Sequence, residues 1–343
     1  AILTRASSAN PKAVAAAGSA TKKNSMSLPM PSSPSSPQST PSAPAPSAPT
    51  RRDLLFSIMA LSLTVMPTLA ALNWLAKPRP ALAAPSSSSS SSSSSQLRPL
   101  SPAAASAVSA AFDREGGKVK APVLLRLAFH DAAAFDVTKR DGGANGSIRF
   151  ELDRPESFGL KRGWRVVEAV SQRLKKEENS NPEAASLSFA DLIALGGAWA
   201  VEATNGPKML SLVPVGRVDA AAADPGNRLP SEDADAAALV SSFAAKGLTA
   251  LDLVSLSGAH TLGSKGFGDP LTFDNTYYKT LLEAPWAQPG ADEMASHIGL
   301  PSDHALPLDP ACREIIMRFS QNQGAFFESF VASYVKMVGL GVV

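Results

Sequence analysis

Leu124-Leu125-Arg126-Leu127-Ala128-Phe129-His130-Asp131 is the stretch on which the reading of this chain turns. Pro122 stands where a helix begins, and Val123 to Ala133 continues it. On that helix Arg126, Phe129 and His130 are spaced i, i+3, i+4 and share one face, while the other side is Leu and Ala. A cation, an aromatic ring and an imidazole on one face of an otherwise apolar helix are costly to bury without a use. Two readings stand side by side: a chemical site, or a His and an Arg satisfied by carboxylates at a domain edge.

The second stretch is Val254-Ser255-Leu256-Ser257-Gly258-Ala259-His260-Thr261-Leu262-Gly263. His260 lies at a helix C-terminus among small residues that allow a flat group to approach. A histidine at such a position also serves as a cap for the helix dipole, and this reading stays open. Downstream, Phe273-Asp274-Asn275-Thr276-Tyr277-Tyr278 supplies Asp274 as a candidate acceptor for the His260 ring. The remaining histidines are His297 and His304; together with Asp303 they read as a polar loop around a Pro-Ser-Asp turn rather than as a metal cluster.

Outward from these motifs the pattern is mainly helical. Leu160 to Lys176 carries Trp164, Val167, Val170 and Leu174 at helical spacing. Ser188 with Asp191, and Thr249 with Asp252, read as capping boxes opening two further helices. Arg313 to Gly324 and Ala325 to Val338 read as closing helices, with Phe326, Phe327, Phe330 and Tyr334 on an apolar stripe. Val213 to Val218 reads as a short strand, and residues 134–150 and 263–275 as long loops. The class is mostly α.

The first hundred residues are of another kind. Residues 1–50 are rich in Ser, Ala and Pro, with scattered Lys and Arg and no acid, the composition of an organelle transit peptide or of a disordered low-complexity tail; with the signal that follows, they read as a chloroplast transit peptide. Arg51-Arg52 precedes the apolar run Leu54 to Ala76, and Ala81-Leu82-Ala83 follows as a small-residue cleavage pattern. Residues 51–83 thus read as a twin-arginine-type export signal into the thylakoid lumen, with a permanent membrane anchor as the alternative. Residues 84–100 contain the serine tract Ser86 to Ser95 and read as a linker. Residues 1–83 hold eight Lys or Arg against the single acid Asp53, while the whole chain is only +2, so the remainder is net acidic and offers no footprint for nucleic acid. The one cysteine, Cys312, excludes an internal disulfide.

Taken in order, Arg-Leu-Ala-Phe-His-Asp resembles the distal motif of plant-type haem peroxidases, and Ser-Gly-Ala-His-Thr-Leu-Gly their proximal motif. Gly142 to Phe150, Gly216-Arg217-Val218-Asp219, Arg228-Leu229-Pro230 and Leu300 to Leu306 also match, so the resemblance to class I, ascorbate-peroxidase-type enzymes covers roughly residues 103–340. With the bipartite leader, the chain is most similar to ascorbate-peroxidase-like proteins of the thylakoid lumen. The resemblance implies a haem-peroxidase domain over residues 101–343, with two helical lobes sandwiching haem b. It implies His260 as axial ligand to the haem iron, Asp274 as acceptor for its ring, and Thr261 beside it. His130 becomes the distal base and Arg126 the stabiliser of developing negative charge. Phe129 stands where ascorbate peroxidases carry tryptophan, and Ser157 where the family carries the asparagine that orients the distal histidine. Lys118 matches a lysine near the ascorbate site, whereas the proximal tryptophan and the ascorbate-binding arginine have no counterpart. The implied substrates are hydrogen peroxide and ascorbate or a phenolic reductant. The implied alternative is a weakly active or inactive peroxidase-fold protein that binds a lumenal partner such as the periphery of photosystem II.

Overall fold

The computed structural model describes residues 97–291 and 293–342. The transit, export and serine-tract readings of residues 1–96 lie outside the described residues. The rest is helical: α1 (Pro102–Glu115), α2 (Ala121–Ala132), α3 (Lys161–Lys176), α4 (Phe189–Ala203), α5 (Ala236–Ala244), α6 (Ala250–Ser257), α7 (Thr276–Glu283), α8 (Pro310–Gln321) and α9 (Gln323–Met337), joined by loops and single turns. The mostly α expectation holds.

Local chemistry sets the helix starts. Ser188 accepts from the Asp191 N–H at 3.0 Å and opens α4. At α6 the box is reciprocal: Thr249 accepts from the Asp252 N–H, and Asp252 accepts from the Thr249 N–H at 2.8 Å. Asp191 does not return the favour to Ser188. Its carboxylate turns to the backbone N–H groups of Gly216 and Arg217 and to the Arg217 guanidinium, which is wholly buried.

That choice explains a correction. Val213 to Val218 forms no strand; Val215 pairs with Arg98 in one isolated antiparallel bridge. The next two backbone donors, on Gly216 and Arg217, are spent on Asp191, so no ladder can continue.

The helices fall into two packed groups. In the first, α2 lies against α4, with α1 and α3 around them; in the second, α6 packs on α9, α8 and α5, and α7 on α8. The groups are joined where Tyr334 of α9 donates to the Ala194 carbonyl of α4 at 2.8 Å and Arg217 donates to the Val338 carbonyl. Both α2 and α9 approach α4 closely at Gly197. A Cβ there would lie 2.8 Å from the Ala128 Cβ and 2.1 Å from the Tyr334 hydroxyl. Gly197→Ala is therefore expected to lower unfolding free energy by about 2 kcal/mol, the scale of core overpacking. Urea unfolding followed by circular dichroism checks this, and an unchanged midpoint would contradict the close approach.

Candidate active site

Helix α2 places its two polar residues as the spacing predicts. The Arg126 Nε–H donates to His130 Nε2 at 3.2 Å. The rest of the guanidinium is held by a single turn of chain: Nη2 donates to the Glu156 carbonyl at 2.8 Å and Nη1 to the Phe158 carbonyl at 2.9 Å. Phe129 is half-buried, edge-on to His130 and stacked on Phe243 at 6.5 Å. Next to His130, the buried Asp131 accepts from the N–H groups of Gly146 (2.9 Å) and Ile148 (3.2 Å), tying the end of α2 to the 142–150 segment. Burial pushes this carboxyl up to about 7 despite those two bonds.

His130 is a neutral base by construction. Burial, and then the adjacent Arg126, pull its imidazolium down to about 3. Because Nε2 accepts from Arg126, the ring proton belongs on Nδ1. That atom is buried and has no hydrogen-bond partner in the protein. Ser157, the residue expected to orient it, is buried in the Pro155–Ser157 turn and lines a cavity with His130, but its hydroxyl does not bond the ring.

The other histidine is anchored differently. His260 lies in the Gly258–Thr261 turn that ends α6, and its Nδ1 meets the Asp303 Oδ1 at 2.8 Å. Asp303 is 2% exposed at its side chain, and the same oxygen accepts from the Tyr277 hydroxyl at 2.8 Å. The other oxygen takes the Leu300 N–H at 2.9 Å. Burial alone would lower the His260 pKa, but the Asp303 carboxylate more than offsets it and the net shift is upward. Burial would likewise raise Asp303, yet His260 and the donors around it hold it below its ordinary value.

The expected partner, Asp274, is thereby corrected. Its Oδ1 accepts from the Thr261 hydroxyl at 2.9 Å and from the Thr276 N–H at 2.9 Å, so it ties the residue after His260 to the first residue of α7 rather than holding His260 itself. Asp274 is near in sequence, but α7 and the chain after it return Asp303 beneath the ring. The polar-loop reading of residues 297–304 is corrected with it. Asp303 is buried in the site, His304 stacks on Trp286 at 3.7 Å, and His297 is exposed. One signal was available: Asp303 belongs to the Leu300 to Leu306 stretch that matched the family pattern. Tyr277 carried no signal beyond its apolar neighbours.

More than a third of the His260 side chain, 38%, stays accessible, although surrounding protein desolvates the ring. Two observations place the Arg126–His130 helix near the His260 turn. Gly263, just past His260, sits with the position of a Cβ 3.5 Å from the Pro122 Cβ at the start of α2. Glu232 acts electrostatically on both Arg126 and His260. Exposed Lys118 faces the same loop, where it helps hold Asp269 below its ordinary pKa, after the Leu271 N–H and Thr272 hydroxyl.

Since the folded His130 binds a proton only near pH 3 and the unfolded one near 6.5, its share of stability is full above 6.5 and lost as pH falls toward 3. Asp131, held up to about 7, acts with the opposite sign between 3.8 and 7. The separable observable is the ring itself. NMR of nitrogen-labelled protein should show His130 neutral, with its proton on Nδ1, from pH 8 down to pH of about 4. A ring titrating near 6.5 would contradict the geometry.

The family model described as Peroxidase matches residues 104–322. The chain is 46% identical over 224 residues to "Putative L-ascorbate peroxidase 6" of Arabidopsis thaliana, covering 65% of this chain and 65% of that protein. It is 37% identical over 233 residues to "L-ascorbate peroxidase 5, peroxisomal" of Arabidopsis thaliana, covering 64% of this chain and 76% of that protein. To "Probable L-ascorbate peroxidase 3, peroxisomal" of Oryza sativa subsp. japonica it is 36% identical over 233 residues, covering 64% and 73%. The chain thus spans 65%, 76% and 73% of the length of these three relatives.

Proposed function

This chain belongs to the peroxidase family, of the class I ascorbate-peroxidase type, and from that premise we propose that it reduces hydrogen peroxide with a small reductant. The observation that carries the reading is the accessible His260 ring backed by the buried Asp303 carboxylate, together with the paired Arg126 and His130.

The residues fit haem b. His260 offers an accessible ring whose Nδ1 is engaged by Asp303 and whose Nε2 makes no hydrogen bond among the described residues. Asp303 fixes the tautomer and makes the ring a better donor. Bound there, haem supplies the electrons that cleave the O–O bond. The protein's share is proton handling and charge. His130, neutral through the physiological range, takes the peroxide proton at Nε2 and returns it to the leaving oxygen. For that, the Arg126 Nε–H must give up its bond to Nε2. The Glu156 and Phe158 carbonyls keep the guanidinium beside the reaction while it does so. Arg126 then stabilises the negative charge that develops. Lys118, exposed and near Asp269, is the cation that a carboxylate-like or enolate reductant such as ascorbate would meet; phenols are the uncharged alternative.

A second reading rests on one observation, the missing partner of His130 Nδ1. A base that is not held turns over slowly, and a weakly active protein of this fold would serve by binding a lumenal partner such as the photosystem II periphery. The leader supports a thylakoid-lumen location for either reading. Among the described residues no helix is long and apolar enough to cross a membrane.

Hemin titration followed by absorbance tests the proposal. A Soret band that shifts on adding hydrogen peroxide is expected; none would leave the binding reading. His260→Ala should abolish haem retention. Asp303→Asn should weaken it by roughly 10- to 100-fold, the effect of losing an outer partner of a ligand, and Asp274→Asn by far less. Equal losses in the two aspartate variants would overturn the exchange of Asp274 for Asp303.

A further inference from the structure

The distal histidine is the one functional side chain whose far side is unaccounted for. Its ring is buried, with only 9% of the residue exposed, and Nδ1 meets no protein acceptor. Arg126 compels this arrangement: by donating to Nε2 it puts the ring proton on Nδ1, so the orphan is an N–H donor. A buried N–H without an acceptor costs roughly 1–3 kcal/mol and is seldom left so.

Beside the ring lies a cavity lined by His130, Glu151, Arg154, Ser157, Asn227 and Arg228. At the scale of a water molecule its free volume is ≈ 10 Å³. That is about the space of one water and too little for an organic ligand. The lining is mixed, with Ala134, Ile148 and Leu229 beside the polar groups a buried water requires, and several of those polar groups are fixed. Glu151 accepts from the Asp224 N–H at 2.9 Å and pairs with Arg154, and Arg228 donates to the Ala134 carbonyl at 3.0 Å. Neither the Ser157 hydroxyl nor the Asn227 amide makes a hydrogen bond among the described residues, and of these two uncommitted groups Ser157 is the buried one.

We propose that this cavity is a site for a single structural water, which accepts the His130 Nδ1–H and is held in turn by the Ser157 hydroxyl. Ser157 is then a positioning residue that acts through the water. The side chain is too short to reach the ring, and the water makes up the missing length. The Pro155–Ser157 turn would thus hold both distal groups, Arg126 through the Glu156 carbonyl directly and His130 through Ser157 and water. The inference deepens the peroxidase reading but does not need haem to be tested.

A crystal structure of the full chain at high resolution should show one water within hydrogen-bond distance of both His130 Nδ1 and the Ser157 hydroxyl. Ser157→Asn should displace it and place the amide oxygen on Nδ1. In NMR of the same two proteins, exchange of the Nδ1 proton with solvent should slow by roughly five- to tenfold in Ser157→Asn, the scale of replacing a mobile acceptor by a fixed one. Ser157→Ala, which removes the hydroxyl and puts nothing in its place, should speed that exchange while unfolding remains cooperative. No water at Nδ1, a protein atom bonded to it directly, or exchange rates alike in all three proteins would overturn the proposal. A protein that shows the water yet binds no hemin would leave it standing and sink the peroxidase function instead.

Discussion

A carboxylate taken out of water must be met by donors, and Asp303 is met by three from separate parts of the chain: the His260 ring, the Tyr277 hydroxyl and the Leu300 N–H. Removing any one leaves a buried charge less well paired, which costs more than the bond itself. The turn after α6, the start of α7 and the 300–305 segment are therefore fixed to one another. The approach is possible because Gly258 has no side chain; a Cβ there would stand 2.4 Å from the Tyr278 hydroxyl and 2.5 Å from the Phe326 ring. Behind the polar knot, Tyr277, Tyr278, Phe319 and Phe326 pack edge to face and keep water out.

The distal half solves a different problem. Arg126 forms no ion pair among the described residues, although Glu232 acts on it electrostatically; it is held by two backbone carbonyls and one imidazole. Its charge, after burial, keeps His130 neutral. Two histidines of one chain are pushed in opposite directions, His130 toward the free base and His260 toward the proton its carboxylate favours. Environments that separate two like groups in this way are how a site assigns a proton acceptor and an anchored ligand.

The same economy governs the scaffold. Asp191 abandons a reciprocal cap on α4 to satisfy Gly216, Arg217 and a buried guanidinium, and the Arg217 guanidinium in turn reaches the carbonyl at the end of α9. One charged pair thereby ends a strand before it starts and joins the two helical groups. A fold shared with ascorbate peroxidases does not by itself carry their activity; that depends on a site's own charges and donors.

Periodicity and capping chemistry were enough to locate α2, α3, α4, α6, α8 and α9, because i, i+3, i+4 spacing and a Ser or Thr cap act over one or two turns; α1, α5 and α7 were not read from the sequence. The same local order put Arg126 and His130 on one face and made His260 the end of a helix. What the sequence could not determine was which acceptor each ring would meet. Asp274 lay nearer in sequence and was the natural partner, but Asp303 reached His260 across 43 residues because α7 and the loop after it fold back under the ring. Ser157 was legible as a position and not as a distance. The partner of a buried polar atom is chosen by the packing of distant segments, and only the tertiary structure makes that choice.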